Sequence, residues 1–178
     1  MKPAFAVWIT GLPSSGKSTL ATALAAQLEV RGTDTAVLES DALRRIFTPY
    51  PIYTEEERNT FYRAMAYVGK LLVENGVPVI FDGTANRRLY RDCARQWIPH
   101  FLEVYVDCPL AVCMSRDTKG IYKKALEDAA STVPGLQAPY EAPEQPDLVI
   151  AGDREDPESA ASRIIVKLVE HEYLPGCS

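Results

Sequence analysis

The chain has 178 residues, of which 47% are hydrophobic and 24% are charged, and its formal net charge is −5. We expect one globular domain over residues 1–178. The negative charge and the lack of a basic run argue against nucleic acid or an acidic membrane surface as partners. The first predicted strand leaves no room for a signal peptide, and no apolar run has membrane length, which favours the cytoplasm.

The 4 cysteines and 2 histidines do not form the spacing of a metal site or of a disulfide framework. The cysteines include no C-x-x-C pair; they are Cys93, Cys108, Cys113 and Cys177. We expect them to act as small apolar side chains, with one thiol in the C-terminal tail.

The first predicted elements are a buried strand over residues 5–10, a glycine-rich loop, and a helix that ends at Gly32. The loop fits the phosphate-loop pattern G-x-x-x-x-G-K-[ST] with Gly11, Leu12, Pro13, Ser14, Ser15, Gly16, Lys17, Ser18 and Thr19. Backbone N–H groups of such a loop and the helix N-terminus are expected to bind a polyphosphate. Lys17 is expected to reach the β- and γ-phosphates, and the Ser18 hydroxyl to bind Mg²⁺. The alternative is a turn that binds nothing.

The middle of the chain alternates strands and helices. Residues 35–39 form a predicted strand, after which Ser40 or Asp41 caps a short helix to residue 47. Residues 54–57 form a capping box that starts a long helix ending at 75–76. Residues 77–82 predict a third strand, which ends at Asp82.

The second half continues this alternation. A helix is predicted over 87–98, a strand over 101–106, a helix that begins near Pro109 with Asp107 as its cap, a strand over 148–150, and a helix over 157–171. The proline-rich stretch 133–146 predicts an ordered loop or a mobile lid. Together the elements predict an α/β fold: a parallel-sheet phosphate-loop nucleoside-triphosphate-binding fold with helices on both faces.

A phosphate loop alone is compatible with a kinase, a GTPase or an ATP-driven motor. The sequence lacks the guanine-reading N-K-x-D motif and the length of a motor domain, so a small kinase is favoured. Asp41 and Asp82 follow strands expected to flank the first, where either could orient Mg²⁺ or accept the acceptor's proton. The structural alternatives are a helix cap for Asp41 and a loop hydrogen bond for Asp82.

Several longer motifs resemble the adenylylsulfate (APS) kinase family. They are the phosphate loop, the D-x-x-R step from Asp41 to Arg44, the segment 54–58 that ends in Arg58, the stretch 106–124, and the P-Y-E-A-P-E segment 139–144. The resemblance covers nearly the whole chain in one order. It implies a usually dimeric enzyme that transfers phosphate from MgATP to the 3′-hydroxyl of APS, a small anionic acceptor, to give PAPS.

The resemblance also implies residue roles. Asp41 would be the base or the Mg²⁺ organiser, and Arg44, Arg58 and Arg88 would contact the substrate. A lid over about residues 116–146 would cover ATP with Arg116, Lys119 and the lysine pair 123–124. The alternative for this basic cluster is a solvated helix face.

The sequence departs from the family pattern on the acceptor side. The family's D-G-D step reads E-S-D over 39–41, Ala85 replaces a serine, and Phe61 replaces an asparagine. Residues 131–137 lack the lysine, the aromatic residue and the acid of the family lid. A kinase of the same fold for another nucleotide or a sugar phosphate, and a regulator without turnover, therefore stay open as alternatives.

Overall fold

The structure is a computed structural model that describes residues 4–128 and 131–176. The strands are β1 (Ala6–Thr10), β2 (Ala36–Glu39), β3 (Val79–Asp82), β4 (Phe101–Asp107) and β5 (Leu148–Ala151). The helices are α1 (Lys17–Val30), α2 (Ser40–Phe47), α3 (Glu55–Glu74), α4 (Arg88–Trp97), α5 (Leu110–Arg116), α6 (Ile121–Glu127) and α7 (Pro157–Glu170). The predicted elements are thus present in the predicted order.

The five strands form one parallel sheet in the order β2-β3-β1-β4-β5. The central strand β1 is buried throughout because helices cover both faces of the sheet. Val7 and Ile9 pack with α1 and α7, whereas Ala6 and Trp8 pack with α3 and α4. This two-sided burial explains the uninterrupted apolar run, and the predicted α/β fold class is confirmed.

The sheet order corrects one expectation. Only β3 and β4 pair with β1, and β2 lies outside β3, so Asp41 does not follow a strand next to the first. The carboxyl ends of parallel strands nevertheless meet at one edge of the sheet. Residues 11–19, 39–41 and 82–84 therefore lie at the same edge.

Two predicted helix caps are wrong. β2 runs into α2 without a loop, so Glu39 occupies the N-cap position, and Ser40 and Asp41 lie inside the first turn. β4 extends to Asp107, whose carboxylate accepts a hydrogen bond from Tyr105, and α5 has Pro109 at its N-cap. At β2 the junction with the helix is tighter than the apolar residues indicate, and at β4 the strand is one residue longer.

The start of α3 is confirmed, because the Thr54 hydroxyl accepts a hydrogen bond from the Glu57 N–H group. The Glu57 carboxylate does not close the capping box on Thr54. It accepts hydrogen bonds from the N–H groups of Ile52 and Tyr53 instead. This contact fixes the loop that precedes α3.

Cys93, Cys108 and Cys113 are free thiols, and Cys177 lies outside the described residues. Cys108 and Cys113 are buried in a small apolar cluster with Tyr122. Among residues 4–128 and 131–176, no helix has both the length and the apolar character needed to cross a membrane.

We expect Gly69→Ala to destabilise the fold, although alanine is usually favoured over glycine in helices. A Cβ atom at Gly69 of α3 would lie 2.1 Å from the Phe81 ring, which is buried under the helix. Overpacking of this kind costs about 1–3 kcal/mol. Urea unfolding measures the effect, and Gly83→Ala, where the nearest atoms lie at 3.5 Å, is the control. An unchanged or increased free energy of unfolding for Gly69→Ala would contradict the packing described.

Candidate active site

The phosphate loop connects the central strand to α1 in a conformation that needs its glycines. A Cβ atom at Gly11 would lie 2.6 Å from the Val106 carbonyl oxygen, so a side chain cannot fit there. Gly16 has a φ of 106° and occupies the N-cap position of α1, where no side chain caps the helix. The first N–H groups of α1 are therefore available to an anion.

Lys17 lies within this loop with only 8% of its surface exposed. Its ammonium group donates a 2.8 Å hydrogen bond to the Leu12 carbonyl oxygen. Burial lowers the pKa of Lys17, and the nearby Asp82 carboxylate opposes this effect. The Ser15 hydroxyl is also buried, and it has no hydrogen-bond partner within the described ranges. A desolvated cation and an orphaned hydroxyl both suit phosphate oxygens.

A cavity of about 480 Å³ opens at this loop. It is lined by residues 13–20 of the loop and helix, by Asp41 and Asp82, and by Arg116 and Lys119. The structure thus brings together residues 13–19 of the predicted donor site, Arg116, Lys119 and both candidate acids, whereas Gly11 and Leu12 do not line the cavity. Its wall also contains Thr84, Thr118, Gly152 and Glu155, which carry no motif by which sequence reasoning could have found them.

The two acids occupy different surroundings. Asp82 ends β3 and is 4% exposed, and among the charged groups it does most to oppose the desolvation of Lys17. The side chain of Asp41 is half exposed and accepts a 2.5 Å hydrogen bond from Lys119. Glu39 lies 3.9 Å from the same ammonium group. Asp82 therefore belongs to the phosphate side of the cavity, and Asp41 to its open side.

The start of the predicted lid contacts the turn after β5 through α5 and the phosphate loop through α6. Arg116 donates a 2.8 Å hydrogen bond to the Gly152 carbonyl oxygen, and Tyr122 donates one of 2.9 Å to that of Pro13. Tyr122 is buried, and sequence reasoning gave it no role. Lys123 and Lys124 are exposed and do not line the cavity. Of the basic cluster, Arg116 and Lys119 lie at the site.

Arg44 and Arg58 lie together beneath the loop between α2 and α3, each 8% exposed. Arg44 stacks on Phe61 with its guanidinium carbon 3.9 Å from the ring centroid, and its nearest carboxylate is Glu57 at 3.5 Å. Arg58 donates hydrogen bonds to Asn86 and to the backbone carbonyl and hydroxyl of Thr132 in the lid. Burial lowers the pKa of Arg58, and the charge of Arg44 lowers it further.

Arg88 does not face the cavity. Its guanidinium group donates a hydrogen bond to the Ala142 carbonyl oxygen and pairs with Glu144 at 2.5 Å, while its backbone N–H group donates a hydrogen bond to the Glu141 carboxylate. In this structure Arg88 therefore fastens the 139–144 segment to the start of α4. A substrate contact by Arg88 would require the Glu144 pair to open.

Arg91 is the residue that sequence reasoning missed most clearly. It is 1% exposed and pairs with Glu103 at 2.6 Å, and it donates hydrogen bonds to the carbonyl oxygens of Ala85 and Glu141. Ala85 has a φ of 39°, which an alanine rarely adopts, and Arg91 fixes it. The loop after Asp82 is thus fixed by a buried ion pair.

The central phosphate loop, the buried lysine and the two carboxylates in one cavity define the class of protein. They are the parts of a phosphate-loop kinase, in which positioning and charge neutralisation support phosphoryl transfer. The wider comparison with known proteins identifies the family. The chain matches the family model described as adenylylsulphate kinase over residues 3–151, and it belongs to that family.

The relatives include an adenylyl-sulfate kinase of Halothermothrix orenii, which is 38% identical over 94% of this chain and 91% of its own length. A probable bifunctional SAT/APS kinase of Sorangium cellulosum is 39% identical over 96% of this chain. The chain spans only 29% of that longer protein.

Solved structures agree. The APS kinase of Mycobacterium tuberculosis in complex with AMPPNP and APS superposes with a TM-score of 0.89 at 30% identity, covering 95% of this chain and 99% of the other. A hexameric APS kinase from Thiobacillus denitrificans superposes with a TM-score of 0.73 at 26% identity, and the match covers 98% of this chain and 30% of that one. The protein is therefore an enzyme, a kinase of the adenylylsulfate kinase family.

The Lys119–Asp41 contact predicts a measurable titration. The hydrogen bond to Asp41 raises the pKa of Lys119. The stabilisation of the fold by this contact is therefore fully present below the pKa of an unfolded lysine, and it is lost as the pH rises through the raised pKa of the folded state. We expect Asp41→Asn to lower the Lys119 pKa toward its ordinary value. NMR of labelled lysine side chains, assigned with Lys119→Arg, measures this shift.

The same spectra should show Lys17 with a pKa below its ordinary value, because burial disfavours the ammonium form. Glu74→Gln, which removes a surface carboxylate paired with Lys70, is the control and should leave both lysines unchanged. An unshifted Lys119 in Asp41→Asn would show that the two side chains are apart in solution.

Proposed function

We propose that this protein transfers the γ-phosphate of ATP to the 3′-hydroxyl of adenylylsulfate and so produces PAPS and ADP. Family membership supports the reaction. The observation that carries it in this chain is the single cavity that joins Lys17 and the phosphate loop to Asp41 and Asp82. Donor phosphates and an acceptor hydroxyl can meet in that cavity.

On the donor side, the N–H groups at the start of α1 and the Lys17 ammonium hold the phosphates. Lys17 exchanges the Leu12 carbonyl oxygen for phosphate oxygens, which restores the solvation that its burial removed. The Ser15 hydroxyl gains the partner that it lacks. Arg116 and Lys119 also line the cavity and cover the nucleotide.

The residues present also fit Mg²⁺. The Ser18 hydroxyl and the Asp82 carboxylate give the cavity oxygen ligands, which Mg²⁺ prefers. Within the described residues, no group of three or more His, Cys, Asp or Glu side chains is arranged to hold a metal. Mg²⁺ usually needs only one or two carboxylates because substrate phosphates and water complete its shell. When bound, it neutralises the developing negative charge on the phosphates.

On the acceptor side, Asp41 accepts the proton of the attacking hydroxyl. It lies on the open side of the cavity, whereas Asp82 is buried toward Lys17 and orients the metal side of the site. The hydroxyl oxygen bonds to the γ-phosphorus, and the bond to the β–γ bridging oxygen breaks as ADP leaves. Lys119 must release Asp41 before this carboxylate can accept the proton. Closure of the lid over ATP moves Lys119 to the nucleotide and so frees the base.

Arg44 and Arg58 hold the anionic group of the acceptor. Arg44 follows Asp41 by one turn of α2, so the anion and the reacting hydroxyl of one molecule lie on the same side of that helix. Arg88 joins them only after its pair with Glu144 opens. We also propose that the protein forms a homodimer and acts in the cytoplasm, where ATP is abundant.

A direct assay tests the reaction. We expect purified protein with ATP and Mg²⁺ to convert adenylylsulfate into PAPS with saturation kinetics, and Lys17→Met to lower kcat at least about 10²-fold, because an electrostatic contact to the reacting phosphate is lost. The control is Lys70→Met, which removes a lysine paired on the surface with Glu74. Turnover with another nucleotide or a sugar phosphate, but not with adenylylsulfate, would overturn the proposal, and so would ATP binding without product.

The division of labour between the acids predicts different kinetics for two variants. Asp41→Asn should lower kcat by about 10²–10⁴-fold with little change in KM for ATP, since only the proton acceptor is lost. Asp82→Asn should weaken Mg²⁺ binding and so raise the Mg²⁺ concentration that gives the half-maximal rate by about 10–100-fold, as loss of a residue that orients metal ligands does. Steady-state rates at varied Mg²⁺ separate them. The reverse pattern would exchange the two roles.

A further inference from the structure

Asn86 is a buried polar residue in the loop between β3 and α4, with only 3% of its surface exposed. Its side-chain nitrogen donates a 2.9 Å hydrogen bond to the Pro139 carbonyl oxygen, and its Oδ1 atom accepts one of 3.4 Å from the Arg58 guanidinium group. A reversed amide would turn its NH2 group toward the guanidinium group and its oxygen toward a carbonyl oxygen. The two contacts therefore allow only one orientation of the amide.

The main chain around Asn86 is held on both sides. Its carbonyl oxygen accepts a 2.8 Å hydrogen bond from the Glu141 N–H group. The preceding residue, Ala85, is held by Arg91 at its carbonyl oxygen and by the Tyr62 hydroxyl at its N–H group. Because this backbone is fixed, the amide sets the position of its arginine partner rather than following it.

Arg58 is a buried cation whose hydrogen bonds, within the part of the chain that the structure describes, all go to neutral oxygens. Its Nε atom donates to a backbone carbonyl oxygen of the preceding loop, one terminal nitrogen donates to Asn86, and the other donates to the carbonyl and hydroxyl oxygens of Thr132. Arg44 beside it has the Glu57 carboxylate at 3.5 Å. The direction of the Arg58 guanidinium group is thus fixed, while its charge is left without a carboxylate partner.

We propose that Asn86 is a positioning residue for the acceptor: it holds the Arg58 guanidinium group with a neutral oxygen and so leaves the charge of Arg58 to the acceptor's anionic group. This inference rests on the proposed function, in which Arg58 holds that group. The contact with Thr132 comes from an exposed part of the lid and is exchanged for the anion, whereas the buried contact with Asn86 stays.

Two substitutions at position 86 separate the charge of Arg58 from the packing of the loop. Asn86→Asp has nearly the same shape and still offers an oxygen to Arg58, but it places a negative charge beside the cation and loses the donor to Pro139. Asn86→Ala loses both contacts and adds no charge. The difference between the two variants therefore reports whether the charge of Arg58 must stay free.

The test measures Kd for adenylylsulfate by ligand-detected NMR titration, with a non-hydrolysable ATP analogue bound. We expect Asn86→Ala to raise this Kd at least about fivefold, because a hydrogen bond that orients a charged group is lost. Asn86→Asp should raise it at least about tenfold more, because the introduced carboxylate neutralises the cation. KM for ATP should stay within about twofold, since Asn86 does not line the cavity at the phosphate loop.

The matched control is Asn75→Asp, the same chemical change at the other end of α3. Asn75 is exposed and donates a hydrogen bond only within its own helix end, to the Leu71 carbonyl oxygen. We expect Asn75→Asp to leave Kd for adenylylsulfate and KM for ATP within about twofold of the wild type.

A double-mutant cycle tests whether Asn86 acts through Arg58. Arg58→Met removes the cation and weakens the acceptor by itself. In that background, Asn86→Ala and Asn86→Asp should each change Kd for adenylylsulfate by at most about threefold, because the group that they act on is gone. A role in loop packing alone would give the same loss in both backgrounds.

Each outcome decides. Equal values of Kd for Asn86→Asp and Asn86→Ala, a full effect that persists in Arg58→Met, or a parallel rise in KM for ATP would reject the inference. If Asn86→Asp does not fold, Asn86→Ala with and without Arg58→Met decides by the same criterion. If the variants weaken adenylylsulfate binding as expected but the wild type makes no PAPS, the proposed function fails and the positioning role stands. A wild type that does not bind adenylylsulfate rejects both.

Discussion

The site depends on one electrostatic constraint, the buried ammonium group of Lys17. Burial disfavours its charge; the Leu12 carbonyl oxygen accepts its hydrogen bond, and the nearby Asp82 carboxylate contributes most among the groups that oppose the effect of burial. A cation held this way has much to gain from phosphate oxygens. The pairing of β3 with β1 is what brings Asp82 to this position, so the order of the strands sets the charge balance of the loop.

The proposed acceptor side repeats this arrangement with arginines. Arg44 and Arg58 are buried beside Glu57, and Arg58 also reaches Asn86 and the lid at Thr132. Asn86 in turn donates to the Pro139 carbonyl oxygen. The loop after Asp82 thus joins three distant parts of the chain. Arg58, the lid segment and the loop that follows Asp82 are therefore mechanically connected.

Buried polar contacts stabilise this junction where apolar packing ends. Arg91 pairs with Glu103 and holds the backbone at Ala85, and the Tyr62 hydroxyl accepts a hydrogen bond from the Ala85 N–H group. A strained backbone persists only when its surroundings fix it. The departure of residue 85 from the family's serine falls in this rigid loop, so the substitution changes side-chain chemistry while the main chain stays held.

The sequence by itself determined the succession of strands and helices along the chain, the phosphate loop, and the family, because these depend on local periodicity and on residues at fixed spacing. It misplaced the caps at Asp41 and Asp107, since strand ends are not encoded by apolar residues alone. Only the tertiary structure decided that Lys119 meets Asp41 and that Arg88 meets Glu144. Such pairs join charges far apart in the chain, and a linear pattern of charged residues does not specify which of them will be brought together by folding.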